Sequence, residues 1–98
     1  TGYSIAMPQA AMSAIISGRV QMVLYRDFAQ RKGHQLGIVG EVRNLSDGTV
    51  SVVAEGPKEK LESFVLLLQK GPMFSKVENV SIQWWKPKGA FDGFSIKY

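Results

Sequence analysis

Ala14-Ile15-Ile16-Ser17-Gly18-Arg19-Val20 decides the reading of this chain. An apolar, β-branched run of that length is a strand that reaches the centre of a sheet. After residues 21–25 the period changes to that of a helix over 26–37, where Tyr25, Phe28, Ala29, Lys32 and Leu36 share one face. Asp27 sits in the favourable first turn and Leu36-Gly37 supplies the stop.

Working outward, residues 38–44 read as a second strand and Ser46-Asp47-Gly48 as the turn of a hairpin. Its other arm is 49–55, where Val50, Val52 and Ala54 alternate with polar neighbours. Gly56-Pro57 opens a second helix, Leu61, Phe64, Val65 and Leu68 form its buried stripe, and Lys70-Gly71-Pro72 ends it. A fourth strand is predicted over 77–85, with Val80, Ile82 and Trp84 on one face, and Phe94, Ile96 and Tyr98 alternate as a fifth. Phe28, Leu36, Phe64, Leu68, Trp84, Phe94 and Ile96 are the predicted core, while Trp85 beside Lys86 and Lys88 could mark a contact surface. Upstream, residues 1–12 carry Pro8 and show no period, which predicts a flexible leader ahead of one domain over 13–98.

The order strand, helix, strand, strand, helix, strand predicts an α+β ferredoxin-like split βαβ sandwich. Its sheet is mostly antiparallel and five-stranded, with both helices on one face. In that arrangement the first two strands run parallel on either side of the third, so their C-terminal ends share one edge. Arg26 and Asn44 are thereby predicted to meet.

Composition narrows the chemistry further. The chain has 98 residues, 45% hydrophobic and 20% charged, which suits one ordinary globular domain. It contains no cysteine, so thiolate nucleophiles, disulfides and sulfur-based zinc sites are excluded, and a single histidine disfavours other metal sites. No apolar run has the length of a membrane span, and a cytoplasmic protein without a membrane partner is expected. The net charge of +4 favours anionic ligands without choosing among them.

The turn entering the first helix offers unpaired N–H groups at the positive end of a helix dipole, a ready anion site. Arg26 stands there, and its planar fork can hold two phosphate oxygens at once. The plain alternative is a surface arginine. Asn44 has a plain alternative too, as an ordinary turn residue. Opposite an anion site, its neutral carboxamide can fix a water for attack without repelling negative charge. His34 is alone and the acids are scattered, so neither a Ser-His-Asp triad nor a carboxylate pair forms. Poverty of acid and base groups suits a leaving group that needs no proton, such as the carboxylate of an acyl phosphate.

Gly18-Arg19-Val20-Gln21-Met22-Val23-Leu24-Tyr25-Arg26 resembles the first acylphosphatase signature, Gly-x-Val-Gln-Gly-Val-x-Phe/Tyr-Arg. Gly40-Glu41-Val42-Arg43-Asn44-Leu45-Ser46-Asp47-Gly48-Thr49-Val50 resembles the second, Gly-aromatic-Val-x-Asn-x-x-Asp-Gly-x-Val. The likeness covers nearly all of residues 17–98. It implies hydrolysis of a small acyl phosphate to a carboxylate and inorganic phosphate, with no metal or cofactor. Arg26 and the amides of Gln21, Met22, Val23, Leu24, Tyr25 and Arg26 would cradle phosphate, and Asn44 would orient the water.

Two positions depart from the pattern. Met22 replaces a glycine, which predicts reduced activity if the position needs positive φ, and Glu41 replaces an aromatic, expected to point outward. One rival is a weakened, acylphosphatase-like anion-binding module. The other, an RNA-recognition domain of the same strand order, lacks its aromatic signature, since the third strand reads Val50-Ser51-Val52-Val53-Ala54. No nucleic-acid partner is therefore expected, and a monomer is.

Overall fold

The computed structural model describes residues 8–98. Its elements follow the predicted order: β1 (Gln9–Arg19), α1 (Tyr25–Leu36), β2 (Val39–Asn44), β3 (Val50–Pro57), α2 (Lys58–Lys70), β4 (Lys76–Trp85) and β5 (Phe94–Lys97). The five strands form one sheet in the order β4-β1-β3-β2-β5. All pairings are antiparallel except β2 with β5, so the split βαβ reading holds with β5 as the added edge strand.

Period-two alternation turns Met12, Ala14 and Ile16 of β1, Val42 of β2, and Val50, Val52 and Ala54 of β3 to one face, all buried. Both helices close that face. α1 lies over β2 and β5, and α2 lies over β1, β3 and β4. Leu61, Phe64 and Leu68 of α2 and Tyr25, Phe28 and Ala29 of α1 supply the facing apolar stripe. Tyr25 does more than fill volume. Its buried hydroxyl donates to the Leu68 carbonyl at 2.5 Å, tying the start of α1 to the end of α2, and burial pushes its ionisation far above the ordinary tyrosine range.

Gly33 explains how closely α1 approaches the sheet edge. A Cβ there would stand 2.4 Å from the Phe94 ring, which is itself buried and packs edge-on against Phe64 at 5.5 Å between centroids. Gly33→Ala should therefore destabilise the protein by about 2 kcal/mol. Overpacking of 1–3 kcal/mol outweighs a gain in helix propensity of up to ~1 kcal/mol. Denaturant unfolding measures it, and a more stable variant would show that the helix can lift off at no cost.

Two expectations need correction. The strand predicted to start at Ala14 begins at Gln9, so 9–12 belong to the sheet rather than to a leader. Met12 is fully buried and pairs with Ala54 on one side and Trp84 on the other, contacts that no local pattern reveals. Residues 1–7 of the expected leader lie outside the described residues. Trp84 is also not core: it faces the helices but stands on the outermost strand, 41% exposed, with the Lys58 ammonium 5.3 Å from its ring centroid. Lys32 keeps to the face it was expected to share with Phe28, its ammonium 5.7 Å from that ring's centroid, while Gly33 is the buried residue of that turn.

Among the described residues no helix covers the opposite sheet face. There the buried Glu55 accepts N–H bonds from Lys88 and Gly89, both at 3.0 Å, which hold the β4–β5 connection against the sheet. The Trp85 indole donates to the Ser13 hydroxyl at 2.9 Å, so its exposed ring is fixed in place.

Candidate active site

β1 and β2 both end at the same sheet edge, and their exits bring the two singled-out side chains together. Arg26, in the first turn of α1, and Asn44, the last residue of β2, line one cavity of about 330 Å³ with Val20, Met22, Leu24 and Tyr98. The helix uses none of the N–H groups just ahead of it. Phe28 is the first to find a carbonyl, that of Leu24 at 3.0 Å, and no side chain caps the end. The dipole of α1 therefore opens into the cavity.

The Arg26 guanidinium is held on the far side by β5. One Nη donates to the Lys97 carbonyl at 3.1 Å, and its central carbon sits 4.7 Å from the centroid of the Tyr98 ring. Those contacts orient the fork while leaving most of its five N–H groups for an anion. Asp27 also lines the cavity, but its carboxylate is paired with Arg31 at 2.9 Å.

Asn44 is half-buried, and its Oδ1 is buried without a hydrogen-bond partner among the described residues. A carboxamide oxygen left unpaired in that way costs about 1–3 kcal/mol relative to a satisfied one. Such an orphan calls for an explanation, and a bound water or substrate supplies one.

The segment between β1 and α1 is shaped by backbone strain. Met22 has φ 60° and Leu24 φ 63°, both left-handed, and each costs on the order of 1–2 kcal/mol for a residue with a Cβ. Met22 thus occupies the conformation that the expectation made a condition for reduced activity. Leu24 at the N-cap of α1 was not anticipated, since leucine gives no local signal for it. Between them Val23 packs on the core, while Met22 and Leu24 are 98% and 75% exposed.

Gln21 does what its sequence position did not announce. Its Nε2 donates to the carbonyls of Leu45 at 2.7 Å and Thr49 at 2.8 Å, clamping the β1–α1 segment to the β2–β3 turn that follows Asn44. That turn is closed by Asp47, whose Oδ1 accepts from the Thr49 hydroxyl at 2.6 Å and its N–H at 3.0 Å; the hydroxyl first and then the N–H hold this carboxyl below its ordinary range. Gln21→Met removes both donors at nearly constant volume. It should cost about 1–2 kcal/mol of stability and lower kcat/KM roughly tenfold by loosening the two halves of the site. Thermal unfolding and steady-state kinetics check it; wild-type kinetics would deny the clamp a part in activity.

Glu41 points, as expected, away from this cavity. It alternates with the buried Val42 onto the helix-free face and pairs with Arg43 at 3.1 Å. His34 is exposed, its Nε2 3.2 Å from the Phe94 carbonyl. Among the described residues no three His, Asp or Glu side chains converge as metal ligands, and no helix is long and apolar enough to cross a membrane.

Comparison with known proteins identifies the family and the fold. The family model described as Acylphosphatase matches residues 12–96. An acylphosphatase from Thermus thermophilus is 51% identical over 83 residues, covering 85% of this chain and 93% of the relative. One from Salinibacter ruber is 43% identical over 86 residues, covering 88% and 90%. The crystal structure of acylphosphatase from Bacillus subtilis superposes with a TM-score of 0.88 at 37% identity, covering 91% of this chain and 99% of that one. With its split βαβ sheet, its helix-end cavity and a family match over nearly its whole length, the chain belongs to the acylphosphatase family.

Proposed function

We propose that this protein hydrolyses small acyl phosphates to a carboxylate and inorganic phosphate, with Arg26 and the backbone amides of 21–26 holding the phosphate and Asn44 orienting the attacking water. The observation that carries the reading is the buried Asn44 Oδ1, without a partner among the described residues, on the same cavity as the Arg26 fork and the open end of α1.

The chemistry follows from those groups. A phosphate dianion at the cavity's inner end is met by the guanidinium and by helix-end N–H groups, which strengthen as negative charge builds on the equatorial oxygens. Asn44 accepts a hydrogen bond from a water through Oδ1 and so turns the water's lone pair toward phosphorus, without adding charge that would repel the dianion. The water oxygen bonds to phosphorus and the bond from phosphorus to the acyl oxygen breaks. The electron pair leaves with a carboxylate whose conjugate acid has a pKa near ~4, so it departs without a proton. The water's own proton passes to a phosphate oxygen of the substrate. No lining side chain has to act as a base, which suits a cavity whose one acid among the described residues, Asp27, is engaged by Arg31.

In this reading the active unit is one domain over 13–98, lengthened to Gln9 by β1, and it acts as a cytoplasmic monomer without metal or cofactor. The test is hydrolysis of benzoyl phosphate, followed by its ultraviolet absorbance, in the presence of EDTA. Turnover well above the uncatalysed rate is expected. None would replace the enzyme with an anion-binding module, and turnover only on adding a divalent metal would overturn the metal-free mechanism.

A further inference from the structure

We propose that Met22, Leu24 and Tyr98 form the contact surface for the acyl body of the substrate, and that the site thereby selects acyl phosphates whose acyl group is uncharged and apolar. The proposal rests on the hydrolytic reading above and concerns what is attached to the phosphate.

Three large apolar or aromatic side chains stand in water around one cavity. Met22 is 98% exposed, Leu24 75% and Tyr98 100%, so none of them contributes to the core. All three line the cavity that holds Arg26 and Asn44. Exposure of single apolar residues is unremarkable by itself, but two of these are displayed at unfavourable backbone angles. Val23 turns inward onto the core, and the left-handed residues on either side of it turn their side chains outward. Strain at a site is informative when packing does not explain it, and at 98% exposure packing does not explain Met22.

The charge pattern of the cavity gives the acyl class. Its charged lining residues are Arg26 and Asp27. With Arg26 committed to phosphate and Asp27 neutralised by its pair with Arg31, no lining cation among the described residues is left to hold a second anionic group. The acyl carbonyl is one bridging oxygen from phosphorus, so the acyl body must lie at the mouth of the cavity. There it would cover Met22, Leu24 and the Tyr98 ring and remove apolar surface from water on both sides. The Arg26 guanidinium, 4.7 Å from the Tyr98 ring centroid, favours the placement of that ring at the wall.

The test compares kcat/KM for benzoyl, acetyl and succinyl phosphate in the wild-type protein and in the double variant Met22→Gln, Leu24→Gln. Glutamine matches methionine in length, extends leucine by one atom, and keeps the left-handed strain while replacing the apolar end with a carboxamide. The ratio between substrates cancels any change in phosphate binding. The wild type should favour benzoyl over acetyl phosphate by about tenfold or more and disfavour succinyl phosphate, the range expected for apolar contacts of this size. In the double variant the benzoyl-to-acetyl ratio should fall about tenfold. An unchanged ratio, or equal rates on all three substrates in the wild type, would overturn the proposal. Affinities for benzylphosphonate and methylphosphonate, measured by calorimetry in the same two proteins, give the same ratio without turnover. Absence of hydrolysis would thus sink the catalytic reading alone, while equal phosphonate affinities would sink the apolar rim.

Discussion

Arg26→Ala is expected to lower kcat/KM for benzoyl phosphate by about 10³-fold, equivalent to about 4 kcal/mol of transition-state stabilisation. The size follows from what the guanidinium supplies and nothing else in the cavity can replace. Among the described residues it is the one cation lining the cavity, and its planar fork can meet two phosphate oxygens together with charge-assisted bonds. The helix end remains after the substitution, so activity should not vanish altogether. Stability should hardly change, because the bonds lost are to the exposed Lys97 carbonyl and to the exposed Tyr98 ring, worth together about 1 kcal/mol. Arg26→Lys keeps charge but not the fork, and should recover only about a tenth of the lost rate. Competitive inhibition by inorganic phosphate should weaken in parallel in both variants. A loss in kcat/KM below tenfold for Arg26→Ala, with the fold intact by circular dichroism, would leave the phosphate to the backbone amides and remove Arg26 from its role.

The route to that prediction shows where sequence reading reaches and where it stops. The hairpin of β2 and β3 was legible because period-two alternation and Ser46-Asp47-Gly48 are both local signals, and α2 because its stripe repeats at helical spacing. The meeting of Arg26 and Asn44 needed only the strand order, since parallel neighbours of β3 must end at one edge. What escaped was non-local. Gln9 to Met12 became a strand because Gly56, Ala54 and Trp84 were available to pair with it. Trp84 alternated correctly, yet its exposure was set by β4 being the outermost strand rather than by its own pattern. The family resemblance implied a cradle role for the Gln21 amide, but its side chain answers to carbonyls 24 and 28 residues away. The left-handed Leu24 belongs to the same class of surprise: leucine has no preference for that conformation, and only the path from β1 into α1 imposes it. Met22 was legible for the opposite reason, because it stands where a glycine is expected.

Asn44→Ala separates catalysis from stability in the reverse sense to an ordinary truncation. It should lower kcat about 10²-fold while leaving KM within about threefold, because the side chain is assigned to the water and not to the phosphate. The same change should leave the protein as stable as before or more stable by up to about 1 kcal/mol. Oδ1 is buried without a partner, so alanine removes an unsatisfied polar atom rather than creating one. Cost in stability retained for activity is a familiar signature of functional positions. Asn44→Asp sharpens the test. The shape is kept, but at neutral pH a carboxylate would face the phosphate-bearing end of the cavity, and the loss should exceed that of alanine. As the pH falls and that carboxyl protonates, it regains a neutral donor and acceptor, so its activity relative to wild type should rise toward acid. Steady-state kinetics across pH, paired with denaturant unfolding of each variant, reads both arms. If alanine were to destabilise the fold by 2 kcal/mol or more while kcat stayed near wild type, Asn44 would be a turn residue, and the water would have to be held by another group.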